Sequence, residues 1–451
     1  AILAGHVKGN ARNPQTTPSA RWALVSLALA VLLSSLGTSS ANVALPNLAE
    51  AFNASFQAVQ WIVIAYLLAI TTLIVSAGRL GDIMGRRRLL LIGISLFTLA
   101  SLLCAMAPTL WLLIAARALQ GFGAAIMMAL TMAFVGETVP KDKTGSAIGL
   151  LGTMSAIGTA LGPSLGGVLI AGLGWRAIFF INLPLGALTL LLAHRYLRAD
   201  HGKRENERAR FDTVGTLLLA LTLAAYALSM TVGRGSFGAL NAALLLLVFV
   251  GIGLFVFAQV RSTAPLIPLA MFRRFELSSS LVASAMVSSV MMATLVVGPF
   301  YLSRSLGLEA AMVGLVLSVG PVVAALTAAP AGRLADRLGT GWVSTGGLIG
   351  MATGALALSM LPTRFGIPGY IAPIVIITAS YALFQTANNT GVMSDVSPDK
   401  RGAVSGMLNL SRNLGLITGA SVMGAVFAFG SGTNDIAGAA PDAAAAGMRI
   451  T

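Results

Sequence analysis

The chain has 451 residues, 56% of them hydrophobic and only 10% charged, with a net charge of +14 and a mean hydropathy of +0.86. A soluble domain carries about 25% charged residues, so no soluble fold of this length could hide so much apolar surface, and a bilayer is required as a second solvent. The basic residues sit in short segments between apolar runs, which excludes a nucleic-acid surface and matches the charge asymmetry of membrane loops. A single cysteine, Cys104, and three histidines, His6, His194 and His201, none central to an apolar run, exclude a disulfide framework and a Cys/His metal cluster. No metal or cofactor is expected.

Residues 1–21 are polar and basic and are expected to form a disordered cytoplasmic tail. Thirteen apolar runs follow, at 22–43, 57–78, 89–107, 109–137, 145–171, 175–197, 213–231, 240–260, 277–302, 310–332, 342–361, 369–394 and 402–430. Each approaches the ~20 residues that a helix needs to cross a hydrocarbon core of about 30 Å. An N-terminus on the cytoplasmic side places 22 of the 29 basic residues in cytoplasmic segments. The outer loops then hold five, Arg176, Arg234, Arg304, Arg364 and Arg449, while Arg117 and Arg412 fall inside spans. This asymmetry fixes the expected orientation.

The expected domains are a six-helix bundle over 22–197, a charged cytoplasmic linker at 198–212, two inserted helices at 213–260, a second linker at 261–276 and a C-terminal bundle at 277–451. The second bundle has five runs where the first has six. Residues 446–451 read as a connection leading to a fourteenth span, which the chain as given would then lack.

An internal repeat supports two related halves. The sequence GRLGDIMG at 78–85 recurs as GRLADRLG at 332–339, each copy ending an even-numbered run. Repeated halves are characteristic of secondary transporters that bind substrate near the membrane midplane. Gly78 and Gly85 permit a tight helix-to-loop turn, and Asp82 can pair with an arginine or cap a helix. The loop, including Arg86 and Arg87, reads equally as a capped positive-inside turn, but the second copy at Asp336 favours a paired role.

Arg117 lies in RALQGFG, after seven apolar residues of its run. A buried arginine normally faces a cavity or a partner; the bland reading is a snorkelling side chain near a helix end. Gly158, Gly162 and Gly166, at i, i+4 and i+8, give one smooth helix face, with Gly167 beside them and Pro163 able to kink the helix. Gln385, Asn388, Asn389 and Asn409 add polar groups to the late runs, as helix glue or as cavity lining.

Together these motifs resemble the fourteen-span drug:proton antiporter branch of the major facilitator superfamily. The resemblance covers nearly the whole chain and is carried by the 78–90 loop, Arg117-x-x-Gln120-Gly121, GTALGPSLGG at 158–167, and Trp175-Arg176 followed by Asn182-x-Pro184. It implies an all-α integral membrane fold of two six-helix bundles with two inserted helices. Gly78, Asp82, Gly85, Arg86, Arg87 and Asp336 become a cytoplasmic gating latch. Asn42, Arg117, Gln120, Glu137, Gln385, Asn388, Asn389, Asn409 and Arg412 become a substrate or proton pathway. Gly158, Gly162, Pro163, Gly166 and Gly167 become the antiporter-motif helix that seals the outer side.

One departure bears on chemistry. The family pattern has an aspartate where this chain has Gly37, and none of the fifteen acidic residues falls in the middle of a run. Glu137 and Asp82 remain as boundary carboxylates for proton coupling. Arg117 and Arg412 are then the formal charges within spans, so neutral or anionic lipophiles are the expected substrates. The expected protein is a monomeric exporter in a bacterial inner membrane, with a small lipophilic substrate, protons and the lipid bilayer as partners and no nucleic acid. No Gly-x-x-x-x-Gly-Lys nucleotide loop is present, so it is not read as an ATPase or other enzyme. The competing readings are an uncoupled facilitator, an exporter of one lipid or metabolite, a lipid-modifying enzyme and a channel.

Overall fold

A computed structural model describes residues 18–138, 144–197, 212–232, 238–262, 265–267, 269–394, 401–432 and 440–451. Each of the thirteen apolar runs falls on helix. The first five helices are α1 (Pro18–Ala51), α2 (Phe56–Met84), α3 (Arg86–Met106), α4 (Leu110–Thr138) and α5 (Thr144–Leu173). The sixth run is broken at Ile181 into α6 (Ala177–Phe180) and α7 (Asn182–Tyr196). Then come α8 (Thr213–Thr231), α9 (Ala239–Arg261), α10 (Phe275–Phe300), α11 (Ala310–Leu338), α12 (Thr340–Met360) and α13 (Gly366–Ser394). The chain closes with α14 (Arg401–Thr418), α15 (Gly424–Ser431) and α16 (Pro441–Ile450). Among the described residues twelve helical stretches are long and apolar enough to cross a membrane, and α5 carries a shorter apolar stretch, Ile157–Leu173.

Several boundaries differ from the sequence expectation. Residues 1–17 of the expected tail lie outside the described residues, but 18–21 form the first turn of α1, and α1 runs on to Ala51 through Pro46. Gly78 is not at a turn: α2 continues through it to Met84, and the reversal comes at Gly85, whose φ of 93° only glycine adopts freely. The second copy behaves alike, with α11 running through Gly332 to a turn at Gly339, φ 87°. Of the first linker, 198–211 lie outside the described residues, while Asp212 caps α8 by accepting from the Gly215 amide at 2.8 Å. The second linker holds a 3₁₀ turn at Leu269–Arg273, and α10 begins at Phe275, before the expected boundary. Residues 446–451 are not a connecting loop; they belong to α16 and its C-cap.

Helices α1–α7 pack mainly with one another, as do α10–α16, and α8 pairs with α9. The basic residues of the connections define one end of the molecule, where α2 turns at Gly85; the opposite, far end carries Gly174. In its far half, the first group shares one continuous apolar core with the second, from Leu45, Phe56 and Val63 to Phe300, Val313 and Phe427. In its basic half the first group has a separate core of its own, around Leu27, Leu90, Phe97, Met127 and Leu151. The two groups are thus joined by hydrophobic burial at the far end.

Helix α5 carries that joint. Gly158, Gly162 and Gly166 lie against Leu32, Ser35, Ser39 and Val43 of α1, where any Cβ would overlap them. On another face, Gly167 lies against Ala310 and Gly314 of α11. A Cβ on Gly314 would overlap the Pro163 carbonyl oxygen and come within 3.0 Å of Gly167 Cα. Gly314→Val is therefore expected to cost about 1–3 kcal/mol and to wedge the far ends of α5 and α11 apart, read as a longer spin-label distance between them. An unchanged distance would show that the glycines do not set this approach.

Helix α8 lies across the seam between the groups. Its Thr216 shares a 3.1 Å hydrogen bond with Ser76 of α2, and its Thr231 accepts from Trp61 Nε1 of α2 at 3.0 Å. Between them, the Tyr226 hydroxyl meets Thr418 of α14 at 2.9 Å. Helix α9 lies outside α8, with only Asn241, Val248 and Gln259 buried.

Candidate substrate pathway

Arg117 on α4 is 1% exposed and does not snorkel. Its Nε donates to the Ile62 carbonyl on α2 at 3.0 Å, and its Nη1 to the Gly37 carbonyl on α1 at 3.0 Å and to Gln120 Oε1 at 2.5 Å. Both carbonyls belong to helical residues, and a carbonyl oxygen has a second lone pair for such a bond. Gln120 Nε2 in turn donates to Ser101 Oγ on α3 at 2.7 Å. The guanidinium carbon lies 4.0 Å from the centre of the Tyr66 ring, and the Tyr66 hydroxyl donates to the Ser34 carbonyl at 3.0 Å. One arginine thereby ties four helices together.

The spacing Arg-x-x-Gln-Gly follows from this geometry. Gln120, one turn on, falls on the same helix face as Arg117. Gly121 removes the side chain that would overlap the Tyr66 carbonyl and leave α2 too far away. Among the described residues no carboxylate pairs with Arg117; its charge is balanced by carbonyl and amide dipoles and by the Tyr66 ring face. Its Nη2 is buried with no acceptor. The position expected to carry an acid is occupied by neighbours: a Cβ on Gly37 would come 2.9 Å from Phe97 Cζ and 3.4 Å from the Tyr66 hydroxyl.

The other expected pathway residues are dispersed. Asn42 is buried on α1, its Nδ2 donating to the Thr38 carbonyl at 3.2 Å and its Oδ1 without a donor. The Glu137 side chain lies outside the described residues. On α13, Asn388 is buried and its Nδ2 reaches the Ser280 carbonyl at 3.5 Å, while Gln385 and Asn389 are half-buried with Oε1 and Oδ1 lacking donors. On α14, Asn409 and Arg412 are half-buried. Arg117 and Arg412 therefore sit in different helix groups.

Of the expected latch, Arg87 Nη2 donates to the His194 carbonyl on α7 at 2.5 Å, and Arg86 is half-buried at the start of α3. The Asp82 side chain lies outside the described residues. Asp336 is exposed and forms no ion pair among the described residues.

Sequence reasoning missed the far-end seal. Arg304 forms an ion pair with Glu50 across the two groups. Gln60 Nε2 donates to the Ala420 carbonyl at 2.7 Å, and Phe56 packs on the rings of Phe300 and Phe427, with centroids 4.8 and 5.3 Å away. A cavity of about 200 Å³ lies behind the ion pair, lined by Pro46, Asn47, Glu309 and Val313 among others. A signal was present: Gln60 is one of two amides, with Gln57, in an apolar run, and Glu50 and Arg304 are opposite charges in loops assigned to one side.

Comparison with known proteins agrees with this architecture. The sequence pattern described as the Major Facilitator Superfamily matches residues 27–420. The riboflavin transporter RibZ of Clostridioides difficile is 30% identical over 90% of this chain and 88% of its own length. The multidrug resistance protein Stp of Mycobacterium tuberculosis is 32% identical over 90% of this chain and 75% of its own. A bacterial homologue of the human lysosomal transporter Spinster superposes with a TM-score of 0.69 at 16% identity, over 93% of this chain and 84% of that one.

Proposed function

Because this chain belongs to the Major Facilitator Superfamily, we propose that it is a fourteen-span-type exporter of small lipophilic compounds, working by alternating access and driven by proton antiport. The observation that carries the reading is the unequal burial between the helix groups. They share a core at the far end, whereas the basic half of the first group keeps a core of its own. With the basic end cytoplasmic, as the loop charges favour, this is a state closed to the outside. The exposed, unpaired Asp336 fits a cytoplasmic latch that is not engaged.

In this reading the GRLGD loop, with Asp82, Arg86 and Arg87, closes against the second group when the far end opens. The Glu50–Arg304 pair and the Gly167–Gly314 contact must then part. The likeness to a multidrug resistance protein supports export, and the likeness to a riboflavin transporter leaves room for a heteroaromatic metabolite. Glu137 and Asp82 are the proposed proton carriers, and the protein acts as a monomer in a bacterial plasma membrane.

The test is accumulation of anionic, neutral and cationic lipophiles in efflux-deficient bacteria, with and without a protonophore. Expression is expected to lower accumulation of neutral and anionic compounds several-fold, and a protonophore to restore it. A second reading, an uncoupled facilitator, is favoured by the absence, among the described residues, of an acid beside Arg117 and predicts transport that the protonophore leaves unchanged. No change in any compound would remove drug export altogether.

A further inference from the structure

The two arginines within the spans are not equivalent. Arg117 is spent on three acceptors and a ring. Arg412 has, among the described residues, no hydrogen bond, ion pair or ring contact, and its Nε is buried without an acceptor. It lies about 16 Å along α14 from Arg401. A guanidinium at such depth persists only where water or a counter-charge reaches it.

The faces of α14 show which side that is. Ser411 donates to the Leu281 carbonyl of α10, and Gly415 lies against Ala285 and Ser288 of the same helix. Thr418 meets α8. At about 100° per residue, Arg412 points roughly 120° from Thr418 and the seam helix, 100° from Ser411 and 60° from Gly415, at the margin of α10's contact line. The adjacent α13 supplies Gln385 Oε1 and Asn389 Oδ1, both buried without donors. The described carboxylates, Glu50, Asp212, Glu276, Glu309, Asp336 and Asp442, all lie at helix ends or in connections. Among the described residues, the touching helices α13 and α14 thus carry an unbalanced cation and spare acceptors but no anion.

We propose that Arg412 is the anion-binding residue of the substrate site. It would take the carboxylate, sulfonate or phosphate of a lipophilic amphiphile, with Gln385 and Asn389 accepting from that molecule's N–H or O–H groups. Arg117 is a positioning residue that holds the first helix group together. The proposal rests on the exporter reading and narrows its substrates to anions.

The experiment uses the full chain in phosphatidylcholine nanodiscs, titrated with pyrenebutyrate and with the uncharged pyrenebutanol. Arg412→Gln is expected to weaken pyrenebutyrate binding about tenfold or more while leaving pyrenebutanol within about twofold. Arg412→Lys recovers part of the loss, and Arg117→Gln affects both probes alike. An unchanged preference in Arg412→Gln, or no pyrenebutyrate binding to the parent chain, overturns the proposal. Competition by added phosphatidylglycerol that is lost in Arg412→Gln would assign the anion site to a lipid headgroup and overturn its role for free substrate.

Aqueous access is tested separately. Cys104 is buried and is the chain's one cysteine, so Arg412→Cys in a Cys104→Ser background gives a single reporter. It is expected to react with the anionic reagent methanethiosulfonate ethylsulfonate, and pyrenebutanol, whose binding does not depend on the arginine, is expected to protect it. Absence of reaction overturns the proposal, because the position then meets no water. Arg412-dependent binding in a chain that exports neither probe from cells would remove the exporter reading and leave this one standing.

Discussion

Arg117→Met is expected to abolish transport and to lower stability by roughly 2–3 kcal/mol, the scale of lost charge-assisted hydrogen bonds offset by relief of a buried charge. The loss has three parts. Gln120 Oε1 is left buried without its donor, the carbonyls of Gly37 and Ile62 lose their second partner, and the Tyr66 ring loses its cation. Arg117→Lys is expected to recover little, because an ammonium cannot serve acceptors on α1, α2 and α4 through a planar fork. Gln120→Ala should be milder, at about 1 kcal/mol, since two of the three acceptors remain. Thermal unfolding of the purified variants, beside their transport, checks the order. An Arg117→Met protein as stable as its parent would show that the network does not hold the four helices.

The second large effect concerns the missing acid. Gly37→Asp puts a side chain where Phe97 and Tyr66 already stand, and overpacking of this kind costs about 1–3 kcal/mol. Phe97→Ala, costly alone as a buried aromatic truncation of about 3–5 kcal/mol, opens that space. The double variant is therefore expected to lose less than the sum of the two, by about 1–2 kcal/mol in a double-mutant cycle. Its new carboxylate lies next to the Arg117 network and makes that part of the molecule neutral. Transport of cationic lipophiles should then appear. Strict additivity would mean that Phe97 does not fill the vacated position.

The sequence made the positions and order of the apolar helices legible, because a membrane helix is announced by some twenty consecutive apolar residues. Its ends are another matter. The apolar run 22–43 ends before Pro46 and Asn47, yet α1 continues to Ala51 with Pro46 inside it. Gly78 reads as a turn because glycine permits a tight helix-to-loop reversal. Glycine in a membrane helix marks close packing as often as a break, and only Gly85 takes the backbone angle that requires it.

The site was legible to a similar depth. The arginine, its glutamine and the glycine after it share one helix, so their spacing is visible in the chain. Tyr66, Phe97 and Ser101 come from neighbouring helices whose rotation no local pattern reveals. The main acceptors of Arg117 are backbone carbonyls, which every residue has and which therefore leave no mark in the sequence. The far-end seal escaped for the same reason, since it depends on how two distant segments meet.

Helix α8 also changes how a lipid-dissolved compound meets the molecule. Two long flanks separate the helix groups, one along α2 and α14 and one along α5 and α11. The first is overlaid by α8, bonded to Ser76, Trp61 and Thr418, with α9 outside it. The second has no such cover, and Leu161, Val168, Leu315 and Val322 stand exposed there. The two helix groups thereby acquire a front and a back. Seen from the bilayer, one flank is shuttered by α8 and α9 and the other closed, in its far half, by two glycines.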